Sequence, residues 1–314
     1  MLSTAAAVAA EKVTVQLKWQ HQFQFAGFYA AQDQGYYRDA GLEVTLAEAQ
    51  PGGDPLQNVL QGRAQYGVGN SSLLLARGIG QPVVVLASIF QHSAANLLRR
   101  LDASGKPRPW TGSRVMLAPN NEELIVFLQR LGARTDSLYQ IRHSFNYDDL
   151  SEGRVDAMSV YLTEAPYVLD RLNVRYELLS PRQYGLDFYG DVLYTTESEL
   201  REHPARAQAL REATLRGWQY AMAHPAEIAD LIRARYPDRH SREHLMFEAQ
   251  RMAPLLEQPL IELGYSNPGR WRAIAQAYQQ HGMLPAGFSI DGFLYQPPPW
   301  PACPEDRRYS GRCA

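Results

Sequence analysis

Between Trp19 and Tyr37 the chain packs Trp19, His21, Phe23, Phe25, Phe28, Tyr29, Tyr36 and Tyr37 into nineteen positions. Aromatic faces stack on flat heterocycles and their polar tips hydrogen-bond, so such a segment can wall a ligand cleft. Phe28 and Tyr29 lead a helical stretch and read as core. Trp19 follows a strand end, the edge at which open α/β sheets take ligands, and reads as a ligand contact. Asp187 lies between Tyr184 and Tyr194. A cleft carboxylate there would accept amino or ring N–H donors, and such charge-assisted bonds are about twice as strong as neutral ones. Asp191, next to Gly190, reads as a turn cap. No phosphate-binding loop, nucleophile elbow or HExxH motif occurs, and Gly67-Val68-Gly69 and Gly78-Ile79-Gly80 each lack the third glycine of a dinucleotide fingerprint. No catalytic residue and no cofactor is therefore expected. His240 and His244 could share a helix face, but with no third ligand evident from the spacing no metal is expected either.

These residues must be positioned by alternating strands and helices. Val13–Leu17 and Leu42–Leu46 alternate as strands, and Asp54-Pro55 caps a helix carrying Leu56, Val59 and Leu60. Tyr66–Val68 returns to strand, Asn70, Ser71 and Ser72 precede a helix, and Pro82–Ile89 is a buried strand. The grammar restarts near Arg114, where Val115–Leu117 is a strand and Asn120 with Glu123 forms a capping box. Gly62–Val68 and Gly153–Ser159 echo one another, each following a helix and preceding a capped one. From His203 onward the pattern is helical, with further helices near residues 225–236, 241–256 and 268–281. Because this late segment has no sheet of its own, it must pack back on the early strands.

The length of 314 residues suits two lobes. Lys plus Arg at 31 against Asp plus Glu at 33 supplies no basic excess for phosphates, which argues against nucleic acid as a partner. No run approaches the roughly 18 to 20 apolar residues of a membrane span. Residues 1–10 end in Val8-Ala9-Ala10 and are expected to be the remnant of an export signal. Residues 296–314 form a Pro-rich tail holding the only cysteines, Cys303 and Cys313, whose pairing the spacing leaves open.

Lys18-Trp19-Gln20-His21-Gln22-Phe23-Gln24-Phe25-Ala26-Gly27-Phe28-Tyr29, then Gly35-Tyr36-Tyr37 and Gly41-Leu42-Glu43-Val44, resembles the solute-binding proteins related to thiamine-pyrimidine synthase. Tyr184-Gly185-Leu186-Asp187-Phe188-Tyr189-Gly190-Asp191 and the stretch with His203-Pro204, Gly217-Trp218 and His224-Pro225 look like the same family. The resemblance spans residues 13–295. It implies an α/β type II periplasmic binding fold whose two lobes close on a ligand like a flytrap. Lobe 1 would comprise residues 11–92 and 190–295, with the late helices, and lobe 2 residues 93–189. Trp19, Gln22, Phe23, Asn70 and Ser71 would then line the first wall, and Gln91 and Ser93 the first crossing. Asn120, Asn121, Glu122, Tyr161, Thr163 and Glu164 would line the second wall, and Asp187 the return crossing, where Gly185 and Gly190 can absorb dihedral change.

The implied function is a non-enzymatic, periplasmic or otherwise extracytoplasmic binding protein, monomeric, presenting a small nitrogenous ligand to the membrane permease of an importer. The ligand expected is of the thiamine-pyrimidine-precursor class. His-Gln-Phe-Gln-Phe at 21–25 also resembles the outer domains of membrane-bound signalling proteins, so a sensing role stands beside transport. Family members that synthesise the pyrimidine carry a cysteine-rich iron motif, and this chain has no cysteine before Cys303.

Overall fold

A computed structural model describes residues 10–50, 53–144, 146–172 and 175–297. Most of the export-signal stretch and nearly all of the Pro-rich tail, with Cys303 and Cys313, lie outside the described residues.

The first half runs β1 (Glu11–Gln16), α1 (Ala26–Asp33), α2 (Tyr36–Asp39), β2 (Leu42–Ala47), α3 (Pro55–Leu60), β3 (Tyr66–Gly69), α4 (Leu73–Gly78) and β4 (Val83–Ser88). It continues with β5 (Ala95–Arg100), β6 (Arg114–Leu117), α5 (Glu122–Arg130), β7 (Tyr139–Arg142), α6 (Asp148–Ser151), β8 (Ala157–Tyr161), α7 (Ala165–Leu172) and β9 (Tyr176–Leu179). The chain then returns through β10 (Val192–Thr196) and ends in α8 (Glu197–Glu202), α9 (Pro204–Ala223), α10 (Pro225–Arg235), α11 (Arg242–Leu256) and α12 (Pro268–Gln280).

Two five-stranded sheets result, ordered β2-β1-β3-β10-β4 and β7-β6-β8-β5-β9. They are built alike. In each, four strands run parallel and one antiparallel strand, which arrives from the other sheet, lies between the third and the last: β10 in the first, β5 in the second. The echo segments 62–68 and 153–159 feed the equivalent strands β3 and β8. This is the two-lobed α/β fold expected.

Local chemistry explains several boundaries. Asp54 Oδ1 accepts from the N–H groups of Leu56 and Gln57 at 3.0 and 3.3 Å, so α3 starts at Pro55. The Asn120–Glu123 capping box does not form. Asn120 is left-handed (φ 59°), Asn121 takes the cap position without a side-chain bond, and Glu123 turns to Ser93 instead. The late helices pack onto lobe 1: Gly27 of α1 faces Gly217 of α9 so closely that a Cβ on Gly217 would lie 2.1 Å from the Gly27 carbonyl oxygen. Phe28 and Phe90 meet Trp218 edge-on in the same core. Beyond α12 the chain runs beside β4, where Val85 exchanges backbone bonds with Phe293 and Tyr295.

The connections 89–94 and 180–191 cross between the sheets and bond to each other. Phe90 N–H donates to Asp191 O at 2.9 Å, Gly190 N–H to Phe90 O at 3.1 Å and Ser93 N–H to Phe188 O at 2.9 Å. Leu255 O, at the end of α11, accepts from both Gln91 and His92. Gly185 is left-handed (φ 79°), as a turning glycine should be. Gly190 serves differently: it is not left-handed, and a Cβ there would sit 2.7 Å from His92 O, so it is needed for close approach of the crossings.

Candidate functional site

The end of β1 delivers Lys18 to the facing lobe. Its Nζ donates to Tyr161 Oη at 2.6 Å, lies 4.8 Å from the centre of the same ring, and pairs with Asp191 Oδ1 at 2.5 Å. Gln24 Nε2 donates to the other Asp191 oxygen at 2.8 Å. Asp191 is therefore the buried partner of Lys18 and Gln24, not a turn cap. Burial opposes the Lys18 charge, but the Asp191 and Tyr161 oxygens outweigh it and raise the ammonium pKa. Burial, then Asp191 and Glu123, push the Tyr161 hydroxyl up to about 12, against the pull of Lys18.

Several expected residues meet around this pair. Gln22 donates to Gln24 Oε1 at 2.7 Å, while its own Oε1 is buried with no hydrogen-bond partner among the described residues. Ser93 donates to Glu123 at 2.7 Å. The second Glu123 oxygen, Glu122 Oε2 and Thr163 Oγ1 are also buried without such a partner. Burial pushes the Glu123 carboxyl up to about 7, opposed by the Ser93 bond and Lys18 and reinforced by Glu122 and Asp187. Burial raises Glu122 as well. Asn70 Nδ2 donates to Asn120 O at 2.8 Å, a direct bond between the walls, and its Oδ1 accepts from Ser72. Asn121 is buried at the start of α5.

A second polar group lies on the other side of the Gln22–Phe23 corner. The Phe23 ring is core, but its N–H donates to Glu248 Oε2 at 2.7 Å. Burial lifts Glu164 to about 7 against a bond from Tyr147; burial and the nearby Glu164 lift Glu248 well above the carboxylate range.

Other expected residues stand apart from these groups. Trp19 is half-buried against the lobe 1 core. Ser71 donates to Tyr189 O at 2.6 Å, and Gln91 donates to the carbonyls of Ser88 and Tyr265, so both brace the crossings. Asp187 contacts His92 at 2.8 Å and Arg270 at 2.7 Å, while His92 also meets Glu257 at 2.8 Å. Sequence reasoning missed Lys18, Gln24, Glu123 and Glu248 as polar neighbours. Lys18 alone carried a signal, as the one cation within the aromatic motif. Among the described residues no helix is long and apolar enough to cross a membrane.

The chain as a whole is similar to known proteins. The formylaminopyrimidine-binding protein of Halalkalibacterium halodurans is 22% identical over 287 residues, covering 88% of this chain and 87% of its own. The riboflavin-binding protein RibY of Chloroflexus aurantiacus is 22% identical over 306 residues, covering 89% and 84%. The crystal structure of the periplasmic aliphatic sulphonate binding protein SsuA from Escherichia coli superposes with a TM-score of 0.65 at 13% identity, covering 97% of this chain and 98% of that one. That match identifies the two lobes as a periplasmic binding protein fold. Residues 22–228, well over half the chain, match the family described as NMT1/THI5 like, and the chain belongs to that family.

Proposed function

We propose that this chain is the extracytoplasmic substrate-binding protein of an ATP-driven importer, binding a small nitrogen-rich heterocycle of the aminopyrimidine class between its lobes without catalysing a reaction. The observation that carries this reading is the set of buried acceptors without partners on facing elements. Gln22 Oε1 comes from one lobe, and Glu122 Oε2, Glu123 Oε2 and Thr163 Oγ1 from the other. A buried polar atom without a partner costs about 1–3 kcal/mol, and a ligand rich in N–H donors would recover that loss at several atoms together. The curated relative that binds a formylaminopyrimidine supports the same class. An anionic ligand would meet carboxylates on the lobe 2 wall.

In this reading lobe 1 comprises residues 11–92 and 190–295 and lobe 2 residues 93–189. The lobes turn about the two crossings, and the closed monomer is what the permease recognises. A thermal-shift titration with an aminopyrimidine, riboflavin and an alkanesulfonate tests it. Saturation at a hundredfold excess over Kd should stabilise by about 2.7 kcal/mol. A shift with the aminopyrimidine alone supports the proposal; a shift with the sulfonate alone overturns it.

A further inference from the structure

His240, His244 and Glu248 follow one another at intervals of four, where the chain enters α11. One ligand atom from each lies within 4.8 Å of the others. His240 Nδ1 is 3.3 Å from His244 Nδ1, and His244 Nε2 is 3.5 Å from Glu248 Oε1. A tetrahedral zinc-class ion with bonds of about 2.0–2.1 Å holds its ligand atoms roughly 3.4 Å apart. His244 gives one nitrogen to any single ion, so closing the set takes rotation of side chains.

Glu248 supplies the independent observation. Its side chain is buried, and its Oε1 accepts no hydrogen bond among the described residues, its nearest polar neighbour being His244 Nε2 at 3.5 Å. Its Oε2 accepts from Phe23 N–H at 2.7 Å, a bond that fixes the carboxylate as second-shell bonds orient metal ligands. Glu164 of the facing lobe adds a second carboxyl group to the same region. A buried carboxylate beside two imidazoles and facing another carboxylate is an arrangement that a dication would relieve. His–carboxylate sets of this kind suit first-row transition metals better than magnesium or calcium, which prefer oxygen ligands.

We propose that His240, His244 and Glu248 form a site for one divalent transition-metal ion of the zinc class, set beside the interlobe face and separate from the acceptors around Glu123. The proposal does not depend on the organic ligand, since its test uses zinc alone. Tag-free full-length protein carrying Cys303→Ser and Cys313→Ser, which removes the thiolates as competing ligands, is titrated with Zn²⁺ by calorimetry. One ion per chain should bind, and His240→Ala and His244→Ala should each weaken that binding about tenfold or more, while His224→Ala leaves it unchanged. Replacing zinc with Co²⁺ should give the visible bands of a four-coordinate ion, lost in His244→Ala. Glu248→Gln should behave like the histidine variants, and if it does not fold, His240→Ala decides the matter. No stoichiometric binding, or binding of equal strength in the parent and both histidine variants, overturns the proposal.

Discussion

Buried polar regions of two kinds meet where the lobes face each other, and they differ in how their charge is balanced. Around Asp191 the carboxylate has both a cation and an amide: Lys18 at 2.5 Å and Gln24 at 2.8 Å, with Tyr161 receiving Lys18 from across the interface. Burial raises the carboxyl pKa at Asp191, where Lys18 and Gln24 oppose it, and raises those of Glu123 and Glu122, and again of Glu164 and Glu248, where no lysine or arginine ion pair is found among the described residues. The first region is a latch complete in itself. The others are acceptors in excess, and an excess of buried acceptors calls for a partner from outside the chain.

The largest effect should come from breaking the balanced region. Lys18→Met leaves Asp191 buried with the Gln24 amide but without its cation, which should cost about 3–5 kcal/mol in urea unfolding. Adding Asp191→Leu should restore much of that, because replacing a whole buried pair by apolar groups is often neutral. If Lys18→Met is as stable as the parent, the two regions do not differ as described.

The unbalanced region should show itself in its pH dependence. Glu123 is held near 7 in the folded chain and titrates near 4.5 when unfolded, so the folded state binds its proton more tightly. Its stabilising contribution is full below the unfolded value and is lost as pH rises from there through about 7, on the order of 3 kcal/mol in all. The groups acting on it are Ser93, Lys18, Glu122 and Asp187, and it acts in turn on Tyr161 and Tyr278. Glu123→Gln should flatten the profile of unfolding free energy between pH 4.5 and 8 without ligand; an unchanged slope would assign the pH dependence elsewhere.

Binding separates the regions next. Trp19 packs part of its ring on the lobe 1 core, and if the half left uncovered stacks on the ligand, Trp19→Ala should lower affinity by about 2 kcal/mol while the protein remains folded by circular dichroism. Normal affinity would remove Trp19 from the site. The smallest effect concerns the direct bond between walls: Asn70→Ala loses the contact to Asn120 O and should disfavour the closed form by about 1 kcal/mol. Small-angle scattering would read this as a larger fraction of extended particles at subsaturating ligand.

Much of the fold was legible because it is written in local patterns. Asp54-Pro55 announces its helix by chemistry within four residues, and the 62–68 and 153–159 segments mark equivalent strands of the two sheets. The site was less legible, because its pairings are distant in the chain. Lys18 finds Asp191 and Tyr161, and Phe23 finds Glu248 at a separation of 225 residues. Asn120 and Glu123 had the right spacing for a capping box, yet the left-handed Asn120 and the approach of Ser93 from the first crossing overrode it. Local propensity had no access to either cause.

The Leu255 carbonyl, which receives the amides of both Gln91 and His92, makes the linkage between the lobes a geared joint. Two simple straps could twist as well as bend, but a third strut fixed to the end of a fifteen-residue helix resists twist. Because Leu245, Ala249, Met252 and Leu255 root α11 in the lobe 1 core, the helix ties the pivot to the place where Phe23 meets Glu248. Travel at the pivot and rearrangement about two helical turns away would then become one motion.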